Sequence, residues 1–201
     1  MSTHDIDWKL PPLRNGVRGI VDRFVGPGAT RAEMSLQIIF PILATIASIV
    51  YAKAFGDNWS WIQIFVCAAL ALDISGGIVT NSTSAAKRWY HRKGQGFWQH
   101  YGFNSLHLLH LALVSWVFLE FNITWLLISG AILLIATSVI LLVSLYLQRP
   151  TAMIAFSIAL ILSFYVLETP QGLEWFLPLF YLKLLICHLV REEPYQPIKK
   201  F

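Results

Sequence analysis

Residues 34–54 read MSLQIIFPILATIASIVYAKA, and this stretch decides the fold. Before Lys53 it holds no charged side chain. Its length matches the ~20 apolar residues a helix needs to cross ~30 Å of hydrocarbon. Pro41 inside it predicts a kink. Just upstream, Thr30 and Glu33 have the spacing of a capping box, which predicts where the helix opens.

Working outward, further apolar runs cover residues 59–79, 102–119, 125–147, 151–167 and 173–190. Turn chemistry separates them: Gly56-Asp57-Asn58, a polar stretch over 80–101, Glu120-Phe121-Asn122, Gln148-Arg149-Pro150 and Thr169-Pro170-Gln171-Gly172. Trp59 and Trp61 stand where a span meets the interface, the position such rings favour. The chain is 56% hydrophobic and 13% charged, whereas a soluble domain carries about a quarter charged residues. The expected fold is an all-α polytopic integral membrane bundle of about six transmembrane helices. Cys67 and Cys187 both lie inside apolar runs and form no CxxC pair, so buried free thiols are expected.

Lys and Arg set the orientation. Lys9, Arg14, Arg18, Arg23 and Arg31 precede the first span. Lys87, Arg88, Arg92 and Lys93 follow the second, Arg149 the fourth, and Arg191, Lys199 and Lys200 the last. The alternate connections carry only Lys53, at the end of the first span. Both termini are therefore expected in the cytoplasm, in a plasma or bacterial inner membrane. The net charge of +4 reads as topology and not as a nucleic-acid footprint. Asp5, Asp7 and Asp22 and the lack of an early apolar region argue against a signal peptide. Three parts are expected: a cytoplasmic segment over 1–33, the transmembrane domain over 34–190, and a cytoplasmic tail over 191–201. Within the first part, Val17, Ile20, Val21 and Phe24 share one helical face, with Arg14, Arg18, Asp22 and Arg23 opposite. That pattern fits a helix lying in the membrane interface, and equally one packed on the bundle.

Ionisable residues inside spans are costly and mark function by default. Here they are Asp73, His107, His110, Lys183 and His188. At ~1.5 Å per residue, Asp73 and Lys183 sit roughly 10 Å in from the cytoplasmic side, and His107 and His110 roughly 7 and 12 Å. Residues from three helices thus reach one level. If the second helix continues beyond the membrane, Asp73, Gly77, Thr80, Asn81, Ser84 and Arg88 form a stripe. His100, Asn104, His107 and His110 form another. Two facing stripes predict a wet cleft open to the cytoplasm.

Two imidazoles and a carboxylate suit Zn²⁺ or Fe²⁺ with open coordination positions, which makes Asp73, His107 and His110 the candidate metal ligands. The same three residues and Asn81 are the candidate catalytic set. The candidate substrate contacts are Lys87, Arg88, Arg92, Lys183, His100 and Asn104, the basic cluster drawing a phosphate head group. Such a site suits hydrolysis or group transfer on an amphiphilic, lipid-like substrate. Expected partners are membrane lipids and an amphiphilic small molecule, with no nucleic acid. Rival readings are a small transporter or proton-coupled carrier, a non-catalytic subunit or scaffold locked by an Asp73–Lys183 ion pair, and a haem- or quinone-binding protein. The chain lacks the phosphate-cradling spacing of a P-loop and the histidine count of the membrane desaturases.

Overall fold

The computed structural model describes residues 4–56 and 58–197. Asp57, in the first turn, and Lys199 and Lys200 lie outside the described residues. The elements in order are β1 (His4–Ile6), α1 (Val17–Val25), α2 (Arg31–Phe55), α3 (Trp61–Ser82), α4 (Ser84–Tyr90), α5 (Phe97–Leu106), α6 (Leu108–Phe118), α7 (Ile123–Leu142), α8 (Leu145–Tyr165) and α9 (Phe176–Tyr181). A π-helical segment, Leu182–His188, continues α9, and β2 (Tyr195–Pro197) follows.

Among the described residues, four helices, α2, α3, α7 and α8, are long and apolar enough to cross a membrane. This is the architecture of an integral membrane protein, and the lipid-like surface agrees with it: Leu36, Ile39, Leu43, Ile46 and Val50 of α2 all point outward. The capping box at the start of α2 is formed, with Thr30 Oγ1 accepting from Glu33 N and Glu33 Oε2 from Thr30 N. Ser60 and Gln63 make the same reciprocal pair at the start of α3. Each box satisfies backbone donors that helix geometry leaves open. Cys67 and Cys187 are buried free thiols, as expected.

The sequence reads the sixth run as one of six spans, sharing a polar pocket with the second and third. The structure instead puts α9 and its π-helical continuation at the centre. Phe176, Leu177, Phe180, Tyr181, Leu184 and Leu185 are essentially inaccessible. The π segment packs on α3, α8 and α7. Two other expectations are corrected. The third run is two helices, α5 and α6, interrupted at His107. The connection expected at Gln148-Arg149-Pro150 lies earlier, at Val143–Ser144, and those three residues belong to the first turns of α8. A fall in hydropathy marks where a helix leaves the apolar layer, which is not where its hydrogen bonding stops.

The chain ends meet. β1 and β2 pair antiparallel, with Ile6 opposite Tyr195. Asp7 N donates to Pro194 O, Trp8 Nε1 to Glu193, and the Arg191 guanidinium lies over the Trp8 ring. On α1, Val17, Ile20 and Phe24 face outward, while Gly19 and Asp22 are buried. Its apolar stripe is therefore turned away from the bundle. A bidentate Arg14 contact on Asp22 fixes the helix start and holds that carboxyl below its usual range.

Candidate functional site

Asp73 stands midway along α3, on the same outward stripe as Ile62, Phe65, Ala69 and Leu72. Lys183 Nζ donates to Asp73 Oδ2 at 2.5 Å, and His110 Nε2 lies 3.0 Å from the same oxygen. His107 completes the group: one ligand atom from each of Asp73, His107 and His110 lies within 4.8 Å of the others.

His107 is placed by a local exchange of hydrogen bonds. In an unbroken helix its N–H would donate to Phe103 O. Here the N–H reaches Asn104 O instead, and Phe103 O accepts from the ring, 2.9 Å from His107 Nδ1. The break between α5 and α6 is the consequence. A carbonyl only accepts, so Nδ1 carries the proton and Nε2 presents a bare lone pair, the usual state of a metal-binding histidine. The His107 and His110 rings stack, with centroids 5.0 Å apart and planes at 13°. Side-by-side rings on one chain segment cannot occupy opposite faces of a haem, so the bis-histidine haem reading is dropped. Both can face one small ion. Asp73 Oδ2 already holds two donors, which leaves Oδ1 for an ion, and His110 would ligate through Nε2 with its proton moved to Nδ1, which no hydrogen bond occupies.

Gly77 gives Lys183 its route. A β-carbon there would overlap Lys183 Cε and come within 2.8 Å of Cδ. The space at Gly77 is taken by the lysine stem. The cavity around these groups has a volume of about 430 Å³. Thr80, Asn81, Tyr90, Phe103, Phe24 and, where the cavity meets the outward face of α3, Leu72 are also on its wall.

Asp73, Asn81, His107, His110 and Lys183 therefore line one cavity. Lys87, Arg88, Arg92, His100 and Asn104 do not reach the cavity, which corrects their placement. The stripe ends because α3 stops at Ser82, and Thr83, extended, caps a redirected α4. Arg88 is buried rather than offered to head groups. Lys87 is also buried, and its ammonium donates to Cys187 O at 2.7 Å and Val190 O at 2.5 Å. It thereby serves carbonyls at the end of the central helix, where intrahelical partners run out. Burial pushes it down to about 8. Arg92 lies over its neighbour Trp89, 3.6 Å from the ring centroid. Asn104 is buried and donates to Thr137 Oγ1 of α7 at 2.8 Å, a helix-to-helix tie.

A second histidine group was not foreseen. His100 Nδ1 lies 3.1 Å from His188 Nε2, and His91 Nε2 is 3.1 Å from His188 O. The rings of His91 and His100 stack, and Phe103 stacks on His188, separating this group from His107. Burial, then the neighbouring His100, pushes His91 down to about 3. The π-helical bonding, i to i+5, widens the turn and brings Lys183 and His188 closer to one face than the ~140° separation an α-helix would impose. Spacing alone could not reveal this.

Comparison with known protein families, curated proteins and solved structures finds no match. Function must therefore be argued from this geometry: a carboxylate and two imidazoles with open positions, a buried ammonium beside them, and a cavity whose walls are part polar and part aromatic.

Proposed function

We propose that this chain is a membrane protein with six membrane-inserted segments and both termini in the cytoplasm. Its Asp73–His107–His110 centre takes a divalent cation, Zn²⁺ or Fe²⁺, and works as a metal-assisted hydrolase or transferase on an amphiphilic substrate. One observation carries this: ligand atoms from two separate parts of the chain converge within 4.8 Å beside a cavity. The unprotonated Nε2 of His107 strengthens it.

Topology supports the same picture. Together α5 and α6 run from Phe97 to Phe118, about 33 Å of near-continuous helix at 1.5 Å per residue. The β1–β2 pairing needs both chain ends on one side, which favours an even number of crossings. Basic residues on that side favour the cytoplasm.

A divalent ion held by these groups would acidify a water and polarise an ester or phosphoryl oxygen. His107 Nε2, His110 Nε2 and Asp73 Oδ1 would hold it. Lys183, at the cavity wall, is placed to meet negative charge on the head group or leaving oxygen. Asn81 and Thr80 line the same wall and offer hydrogen bonds to a polar head.

The Asp73–Lys183 pair supports a second reading, a structural lock in a non-catalytic subunit. Elemental analysis of detergent-purified protein separates the two. We expect close to one ion per chain, lost in the double variant His107→Ala, His110→Ala while the fold persists. Fully folded wild-type protein without metal after incubation with Zn²⁺ or Fe²⁺ would leave only the structural lock.

A further inference from the structure

Asp73 has a side chain 48% exposed, on a helix long enough to cross a membrane. A carboxylate facing hydrocarbon is costly, so the position calls for polar cover. The residues running from it along the same face are apolar. Leu72 is 49% exposed, Phe65 is 73%, and Ala69 between them is also open. Positions 65, 69, 72, 73 and 76 recur at helical spacing and form one track. From Asp73 to Phe65 the track is about 12 Å long at 1.5 Å per residue.

The other end of the cavity is fixed to the amphipathic helix. Phe24 of α1 is on its wall, and the outward stripe of Val17, Ile20 and Phe24 suits the head-group boundary. That helix is rigidly mounted. Tyr90 OH donates to Phe24 O at 3.0 Å, and Gly26 packs so closely on Ala85 that a β-carbon would collide with its backbone. The polar cavity therefore opens beside a helix suited to head-group depth. The apolar track leads from it toward the far end of α3.

We propose that the substrate is a bilayer lipid entering sideways. Its polar head sits among Asp73, His107, His110 and Lys183, and its acyl chain lies along Leu72, Ala69 and Phe65. This rests on the amphiphile reading above and names where the amphiphile comes from. A soluble molecule carrying the same head would use the cavity alone and leave the track bare.

The test uses the full chain in phosphatidylcholine nanodiscs doped with phosphatidylcholine carrying a mid-chain diazirine. After photolysis, adducts are mapped by mass spectrometry, and metal is measured on the same samples. Adducts should favour the Phe65–Leu72 peptide over the exposed Ile154, Ile158 and Ile161 of α8 by about tenfold, the ratio a 1.4 kcal/mol preference gives. Ala69→Trp, which blocks the track outside the cavity, should abolish the preference and leave metal content unchanged. Even labelling of α3 and α8 overturns the inference, as does an unaltered preference in Ala69→Trp. So does cross-linking of the track to a second copy of the chain. If glycerophosphocholine protects the cavity while the track stays unlabelled, the source is a soluble molecule and the inference fails. Metal without track labelling sinks only the lipid route. Track labelling without metal sinks only the metal centre.

Discussion

Gly77→Ala is the most direct probe of the site, because the smallest side chain has one definite consequence. The added β-carbon would overlap Lys183 Cε, so the lysine must withdraw from Asp73. Lys183 is 97% buried by its side-chain accessibility of 3% and has little room to move. Over-packing of this kind costs about 1–3 kcal/mol. Stranding a buried charge costs about 3–5 kcal/mol, reduced here because its partner Asp73 is half exposed. Replacing a helical glycine by alanine returns about 1 kcal/mol. The net expectation is a loss of about 2–4 kcal/mol, read by SDS-induced unfolding in mixed micelles. Gly102→Ala is the control: nothing lies within 4 Å of its β-carbon, and it should be neutral or stabilising by up to about 1 kcal/mol. Lys183→Met keeps the stem but removes the charge. In that background Gly77→Ala should lose the electrostatic share and retain only the over-packing cost. Gly77→Ala protein as stable as wild type would refute the placement of Lys183 and, with it, the geometry of the centre.

Two further outcomes follow from the groups outside the membrane. Lys87→Met removes the donor from Cys187 O and Val190 O, and chemical unfolding should show a loss of about 1–3 kcal/mol. His91 is held neutral, down to about 3 from an ordinary 6.5, so between those values the unfolded chain binds more protons. Its contribution is present above pH 6.5 and lost as pH falls toward 3, and thermal unfolding of His91→Gln should depend less on pH across that window than wild type.

The parts of the fold legible in the sequence are those that hydropathy and capping chemistry report. Thr30 with Glu33 marked the start of α2, and the run from 59 to 79 nearly matches α3. Asp73, His107, His110 and Lys183 were found because charge within an apolar run is conspicuous, and topology put them at one depth. The missed features depend on backbone bonding. Hydropathy cannot distinguish π from α bonding, so the wider turn that carries Lys183 and His188 is invisible to it. Nor can it say that the His107 ring will take Phe103 O and divide a helix. The basic cluster was misplaced for a related reason. Lys87 and Arg88 look like surface charge until the end of the central helix is brought against α4, a contact across some hundred residues of chain.

The irregular backbone itself argues for the site. In hydrocarbon, backbone polar groups must be satisfied internally, so departures from α-helix survive only inside protein or along a cavity. Two such departures sit near this cavity: the interruption at His107 and the π-helical segment that carries Lys183. A bundle selected only for packing gains nothing from either. A regular α5–α6 helix would return Phe103 O to the backbone and leave the His107 ring without its anchor. An α-helical 182–188 segment would turn Lys183 and His188 further apart, away from the directions in which they now meet Asp73 and His100. Both distortions thus have the same effect: each aims a polar side chain that a regular helix would leave less constrained. Distortions of this kind gather at functional sites, and these bear on the same few residues that the chemistry of Asp73, His107 and His110 selects independently.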